Sequence, residues 1–209
     1  LANDILNIGS FSFFPLDINW AKQLKSKFEF GRALVQYIGT ASVMDAYSED
    51  TPEIYEFGVT ITTQAEYYAM LDFWHERKGM HGKFWLKVPI EEFTLKIAAT
   101  IGSTVLIVHR NEAIKIYQDR ERIWIRMNNG DIITRQIQSI IEDEINDYYT
   151  LNLPNPLDRN ISLTGYDLIG RLLLCRFDDD GLPIDLETNR IGEITFRVVE
   201  LVNEYSEVI

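Results

Sequence analysis

Cysteine is nearly absent. Cys175 is the chain's single thiol, so no disulfide can close within it, and its place in the run Leu172-Leu173-Leu174-Cys175 marks a buried, inert side chain. Membrane-length apolar runs are missing too: charge breaks the longest within about ten residues, against the roughly 20 that a spanning helix needs. Leu1-Ala2-Asn3-Asp4-Ile5-Leu6 lacks the basic-then-apolar order of a signal peptide, and a cytoplasm-like compartment is expected. Positive charge is scarce, with 20 Lys and Arg against 32 Asp and Glu, a formal net charge of -12. Phosphate backbones are gripped by cations that displace counterions, so general nucleic-acid affinity is disfavoured. An acidic wall instead repels DNA and lets it pass. Gly-rich phosphate loops and a Gly-x-Ser-x-Gly elbow are also lacking.

What is present is the material of a core. The chain has 209 residues, 46% hydrophobic and 12% aromatic, enough for one large domain or a domain with an insert. From Lys25 to Ile38 it reads as extended, with Phe28, Phe30, Leu34 and Ile38 on one parity. Tyr55, Phe57, Val59 and Ile61 alternate with Glu56, Gly58, Thr60 and Thr62, as in a half-buried strand. Thr63 precedes Glu66 by three residues, a capping box that satisfies free backbone donors at a helix start. Tyr67, Met70, Leu71 and Trp74 then recur at i, i+3, i+4 and i+7, a stripe that docks a helix on a sheet. Arg77 and Lys78 suit its last turn and Gly79 its stop.

A strand near Lys83 to Val88 follows, with Phe84, Leu86 and Val88 on one face and Trp85 on the other, ended by Pro89. Beyond Ile101 come short β segments at Thr104–His109, Ala113–Tyr117, Ile123–Met127, Ile132–Ile140 and Asp147–Leu153. Asn129-Gly130 predicts a type I′ hairpin. Short strands without a long helix suggest a small barrel. A further β region begins at Leu168, Asp178-Asp179-Asp180-Gly181 turns the chain, and Ile194 to Val199 is apolar on both parities, as a strand covered on two sides would be. The fold class expected is mainly β with one packed α-helix (α+β). A β-sandwich domain of residues 1–96 plus 164–209 would carry an inserted small β-barrel at 97–163.

Several patterns imitate chemistry. His75 and His81 stand six apart across Gly79, whereas a zinc helix needs two histidines one turn apart. A calcium loop ending at Gly181 would place its first ligand at Arg176, a cation. No metal site, cofactor or catalytic residue is assigned, and the chain is expected not to be an enzyme. Arg122, Trp124 and Arg126 share one parity of a strand. Such a face, if exposed, can stack sugars or bases, although an Arg–aromatic packing role is the plainer expectation.

Phe14-Pro15-Leu16-Asp17-Ile18-Asn19, the extended region after it, and the run from Tyr67 through Trp74-His75-Glu76-Arg77-Lys78-Gly79-Met80-His81-Gly82-Lys83-Phe84-Trp85 resemble the N-terminal half of distal tail and tail-tip hub proteins of tailed bacteriophages and gene transfer agents. Leu172 to Gly181, Ile194 to Leu201 and the segment ending Tyr149-Thr150-Leu151-Asn152-Leu153-Pro154 are similar to later parts of those proteins. The resemblance implies a tail-tube-like β-sandwich closed into a ring, six copies favoured over three, with the barrel outside. It implies a structural virion protein at the distal end of the tail, assembled in the host bacterial cytoplasm. The partners implied are copies of itself, the tail tube protein and the tail-tip or baseplate hub proteins, with genomic DNA only passing through the lumen and no membrane insertion. The alternative is a carbohydrate- or receptor-binding tail module acting through the inserted barrel, with Trp124 as its platform.

Overall fold

Among the described residues, two-residue alternation builds the strands, and a helical period interrupts them once. The computed structural model describes residues 7–8, 11–16, 18, 25–28, 32–35, 43–46, 53–110, 122–182, 184–186 and 192–201. Among these the chain is mainly β with one α-helix, in antiparallel sheets. The strands up to the helix are β1 (Asn7–Ile8), β2 (Phe11–Ser12), β3 (Lys25–Phe28), β4 (Arg32–Val35), β5 (Val43–Ala46) and β6 (Glu53–Ile61). Helix α1 (Gln64–Arg77) and a 3₁₀ turn (Gly79–His81) lead into β7 (Phe84–Lys87). Then come β8 (Val105–His109), β9 (Arg122–Met127), β10 (Ile132–Gln136), β11 (Ser139–Asp143), β12 (Tyr148–Asn152), β13 (Tyr166–Phe177), β14 (Ile184–Leu186) and β15 (Gly192–Glu200).

The chain divides into two compact units, one of residues 14–84 and 174–209, the other of 1–13 and 85–173. The second is wider than the 97–163 insert expected from the proline brackets, because 92–95 and the first half of β13 contribute to the same core.

In the 14–84/174–209 unit, β15 pairs with β6 from Gly192↔Ile61 to Val199↔Ile54, and β3 continues beyond β6. The end of β13 and β14 lie on β15's other side. Tyr55, Phe57, Val59 and Ile61 are buried, as their alternation requires. Thr195 and Arg197 are exposed, so β15 is covered on one face rather than two. Helix α1 opens on the expected capping box: Thr63 Oγ1 accepts from Glu66 N–H, and the Glu66 carboxylate accepts from Thr63 N–H. Its covered face is centred differently from the expected stripe. Met70 is buried and Tyr67, Leu71 and Trp74 are half-buried, while Phe73 is 6% exposed. Phe73 joins Phe14, Phe57, Phe84, Phe177 and Phe196 in a cluster with neighbouring ring centroids 4.7 to 6.2 Å apart.

In the other unit, β11, β12 and β8 form one antiparallel sheet, while β10, β9 and the first half of β13 form another set of antiparallel pairs. Leu106, Val108, Ile123, Ile125, Leu151 and Ile169 meet in a shared apolar core. The segment expected as one strand over Ile132–Ile140 is two, because Ile137 turns into this core and Gln138 N–H donates to Asn152 O. The β9–β10 connection also differs from a type I′ turn. Only Gly130 has positive φ (87°), Gly130 N–H donates to Met127 O and Met127 N–H to Asp131 O. That is a turn completed by a left-handed glycine bulge, with Asn129 Oδ1 accepting from Asp131 N–H. The Ala113–Tyr117 segment, and Phe30 and Ile38, lie outside the described residues.

Candidate functional site

The strand face of Arg122, Trp124 and Arg126 was the sequence's nearest approach to a binding surface. Pairing with β13 brings Gly170 opposite Trp124, and a side chain at 170 would lie 2.7 Å from Val88 O, 2.8 Å from Ile90 O and 2.9 Å from Trp124 Nε1. Glycine therefore lets the 88–90 backbone close over the indole. Trp124 is 4% exposed and its Nε1–H donates to Val88 O at 3.0 Å. Arg126 and Lys87 lie over the Trp124 ring at 5.9 and 6.0 Å, Arg122 lies over Trp85 at 5.3 Å, and Arg126 pairs with Asp167. An exposed stacking platform is thus corrected to a buried indole capped by cations: a flat sugar or base cannot reach its face.

The basic-glycine turn after α1 is a closely fitted piece. Lys78, not Gly79, is the first left-handed residue (φ 52°), and Gly79 follows at 61°. Met80 N–H donates to Asp180 Oδ1 at 3.0 Å, Gly82 N–H to Arg77 O at 2.7 Å, and Arg77 Nη1–H to Lys83 O at 3.2 Å. A Cβ at Gly82 would come within 2.6 Å of Arg77 Cα and O. Asp180, which sequence placed only in a turn, is therefore a tether for the helix end. His75 and His81 are both exposed. Among the described residues no group of three or more His, Cys, Asp or Glu side chains is placed to hold a metal ion. A buried ion pair joins Arg171 to Glu92, and Cys175 is buried. No protein-family model matches the chain, and no curated protein matches it.

One surface escaped the sequence reading. The β11–β12 hairpin exposes Ile141 (57%) and, at its tip, Ile145 (95%). The tip is nevertheless well tied. Asn146 donates from its backbone and side-chain nitrogens to the Asp143 carboxylate, both at 2.9 Å, and the Lys96 ammonium donates to the carbonyls of Asn146 and Asp147 while lying 5.2 Å from the Tyr148 ring. Those Asn146 bonds, with the Tyr148 hydroxyl, hold the Asp143 carboxyl below the ordinary aspartate range, and Asp143 in turn raises Tyr148. Glu142 pairs with Arg110 at 2.7 Å. The expected strand ends at Ile140, and Ser139-Ile140-Ile141-Glu142-Asp143 has no two-residue alternation to mark β11 or to tell which isoleucine lacks a cover.

Proposed function

We propose that the chain is a structural protein of a phage or gene-transfer-agent tail, a distal ring adaptor joining the tail tube to the tip or baseplate hub, and not an enzyme. The observation that carries the reading is the order of elements around the helix. A long half-buried strand leads through a capping box into α1, then through the Arg77-Lys78-Gly79 turn into a strand that opens at Phe84. This order, with the C-terminal return of β13 and β15, is the part of the chain that resembles hub proteins. The net charge of -12 supports it, because an acidic lumen lets DNA slide without adhering. Ring closure, with six copies favoured over three, would also pair sheet edges that otherwise invite open-ended association. The 97–163 stretch would be carried on the ring's outside. A glycan-binding role is less well supported, since the indole it would need is buried.

Electron microscopy and native mass measurement of the purified chain, alone and in its parent particle, test the proposal. A closed ring with a central pore is the expected result. A single copy in the assembled particle, or cell-wall cleavage in a zymogram, would overturn it.

A further inference from the structure

Strand β11 is the terminal strand of its sheet: among the described residues β12 is its one neighbour, and β8 lies beyond β12. The register tells which backbone groups it leaves over. Leu153 N–H donates to Thr104 O, so in β12 the odd-numbered residues turn their backbone groups to β8 and the even-numbered ones turn theirs to β11. Ser139, Ile141 and Asp143, opposite Asn152, Thr150 and Tyr148, therefore spend their N–H and C=O groups on β12. Those of Ile140 and Glu142 point off the edge of the sheet.

Edges of this kind are ordinarily guarded by Lys, Pro, a bulge or a cover. Ser139-Ile140-Ile141-Glu142-Asp143 has neither Lys nor Pro, and its register runs without a shift. Since Leu106, Val108, Tyr149 and Leu151 face the core, Ile107, Thr150 and Ile141 line up on the opposite face, directly across from one another. Ile141 ends that row at the open edge. The tied tip beside it presents Ile145 without loop-ordering cost at the moment of contact.

Charge selects the occupant. Around the edge and tip Glu142, Asp143, Glu144 and Asp147 outnumber the cations, Arg110, which pairs with Glu142, and Lys96, which bonds the tip carbonyls. A second copy adding antiparallel about Ile141 would set Glu142 opposite Ile140 and Asp143 opposite Ser139, so the two Glu142 side chains would stand diagonally on one face, about 7–8 Å apart, and two chains each of net charge -12 would repel. A strand bearing Lys or Arg meets the opposite situation. We propose that the outer edge of β11 receives an extended basic strand of another protein, bonded through the backbone of Ile140 and Glu142, with an apolar side chain beside Ile141. This edge stands on its own geometry, whatever the role of the whole chain.

The probe is an acetylated, amidated peptide of alternating lysine and valine, titrated into the full chain and followed by amide hydrogen exchange and fluorescence anisotropy. At saturation the Ile140 and Glu142 amides should exchange at least about tenfold more slowly, while the already bonded Ile141 amide is unchanged. The same peptide with glutamate for lysine should bind at least about tenfold more weakly. Glu142→Pro removes one outward donor, a change an edge strand tolerates. It should weaken binding by about tenfold or more, and Glu142→Gln by less. If the proline variant fails to fold, the wild-type exchange pattern alone decides. Unchanged exchange at the two amides, equal binding of the acidic peptide, or protection that arises from raising the chain's own concentration, the mark of a second copy, each overturns the proposal.

Discussion

Truncating two adjacent residues of α1 separates the helix face seen in the structure from the one the spacing suggests. Phe73 is 6% exposed, its ring lies 5.3 Å from Phe84, 5.8 Å from Phe14 and 6.2 Å from Phe177, and the Arg77 guanidinium lies 5.3 Å from its centroid. Phe73→Ala empties a site hemmed in by other rings, which have little freedom to collapse, and should cost about 3–5 kcal/mol. Trp74 is half-buried, with Phe177 at 4.6 Å. Part of its surface is wet in the folded state, so Trp74→Ala should cost about 1–3 kcal/mol despite the larger side chain. Urea unfolding followed by far-ultraviolet circular dichroism gives both values as midpoint shifts at constant slope. Should Trp74→Ala prove equally or more destabilising, the helix would be anchored through Trp74, and the packing described for Phe73 would be wrong.

Gly170→Ala should destabilise by about 1–3 kcal/mol and alter the near-ultraviolet signal of Trp124, because two of the three atoms its Cβ meets are backbone carbonyl oxygens. Thr63→Ala should cost about 1 kcal/mol through loss of the cap. Thr62 and Thr63 hydrogen bonds hold the Glu66 carboxyl below its ordinary value; a depressed folded value means stability present above the ordinary glutamate range and lost as pH falls through the folded value. Helix signal on acidification should therefore fall later in the wild type than in a Thr62→Ala variant, where the depression is smaller. Glu92→Ala, which removes the carboxylate paired with the buried Arg171 guanidinium, should destabilise by up to about 3–5 kcal/mol in a thermal or urea melt, and replacing both partners by apolar residues should recover much of it.

Legibility followed locality. The strand at Tyr55–Ile61 and the capping box were readable because their determinants sit within a few residues of one another. The expected helix stripe holds the buried Met70 but omits Phe73, since Phe73 and Trp74 are both apolar and only partners far along the chain, Phe14, Phe84 and Phe177, decide which lies deeper. The same limit applies at Trp124: its burial depends on the 88–90 backbone passing close to Gly170, a contact with no local signature. Asn129-Gly130 announced a hairpin correctly, but only Gly130 took positive φ, and the Asn129 side chain bonded to Asp131 instead. The open edge at β11 has no local sign because Ser139-Ile140-Ile141-Glu142-Asp143 does not alternate, and two adjacent isoleucines do not tell which one the core covers.

The chain order of the two cores bears on how the protein is made. The core of the 1–13/85–173 unit draws on residues between Phe93 and Ile169, one unbroken stretch. The phenylalanine cluster of the other unit takes Phe14, Phe57, Phe73 and Phe84 from before that stretch and Phe177 and Phe196 from after it. During translation the first four rings emerge early and wait, without their last two neighbours, until the whole intervening unit has been synthesised. Pairings so distant in sequence close slowly, and apolar surface left open meanwhile is what chaperones bind and aggregates grow from. The core between Phe93 and Ile169 can be completed on the ribosome, whereas the phenylalanine cluster closes only once β15 has been synthesised, so its yield depends on how well the nascent half is sheltered.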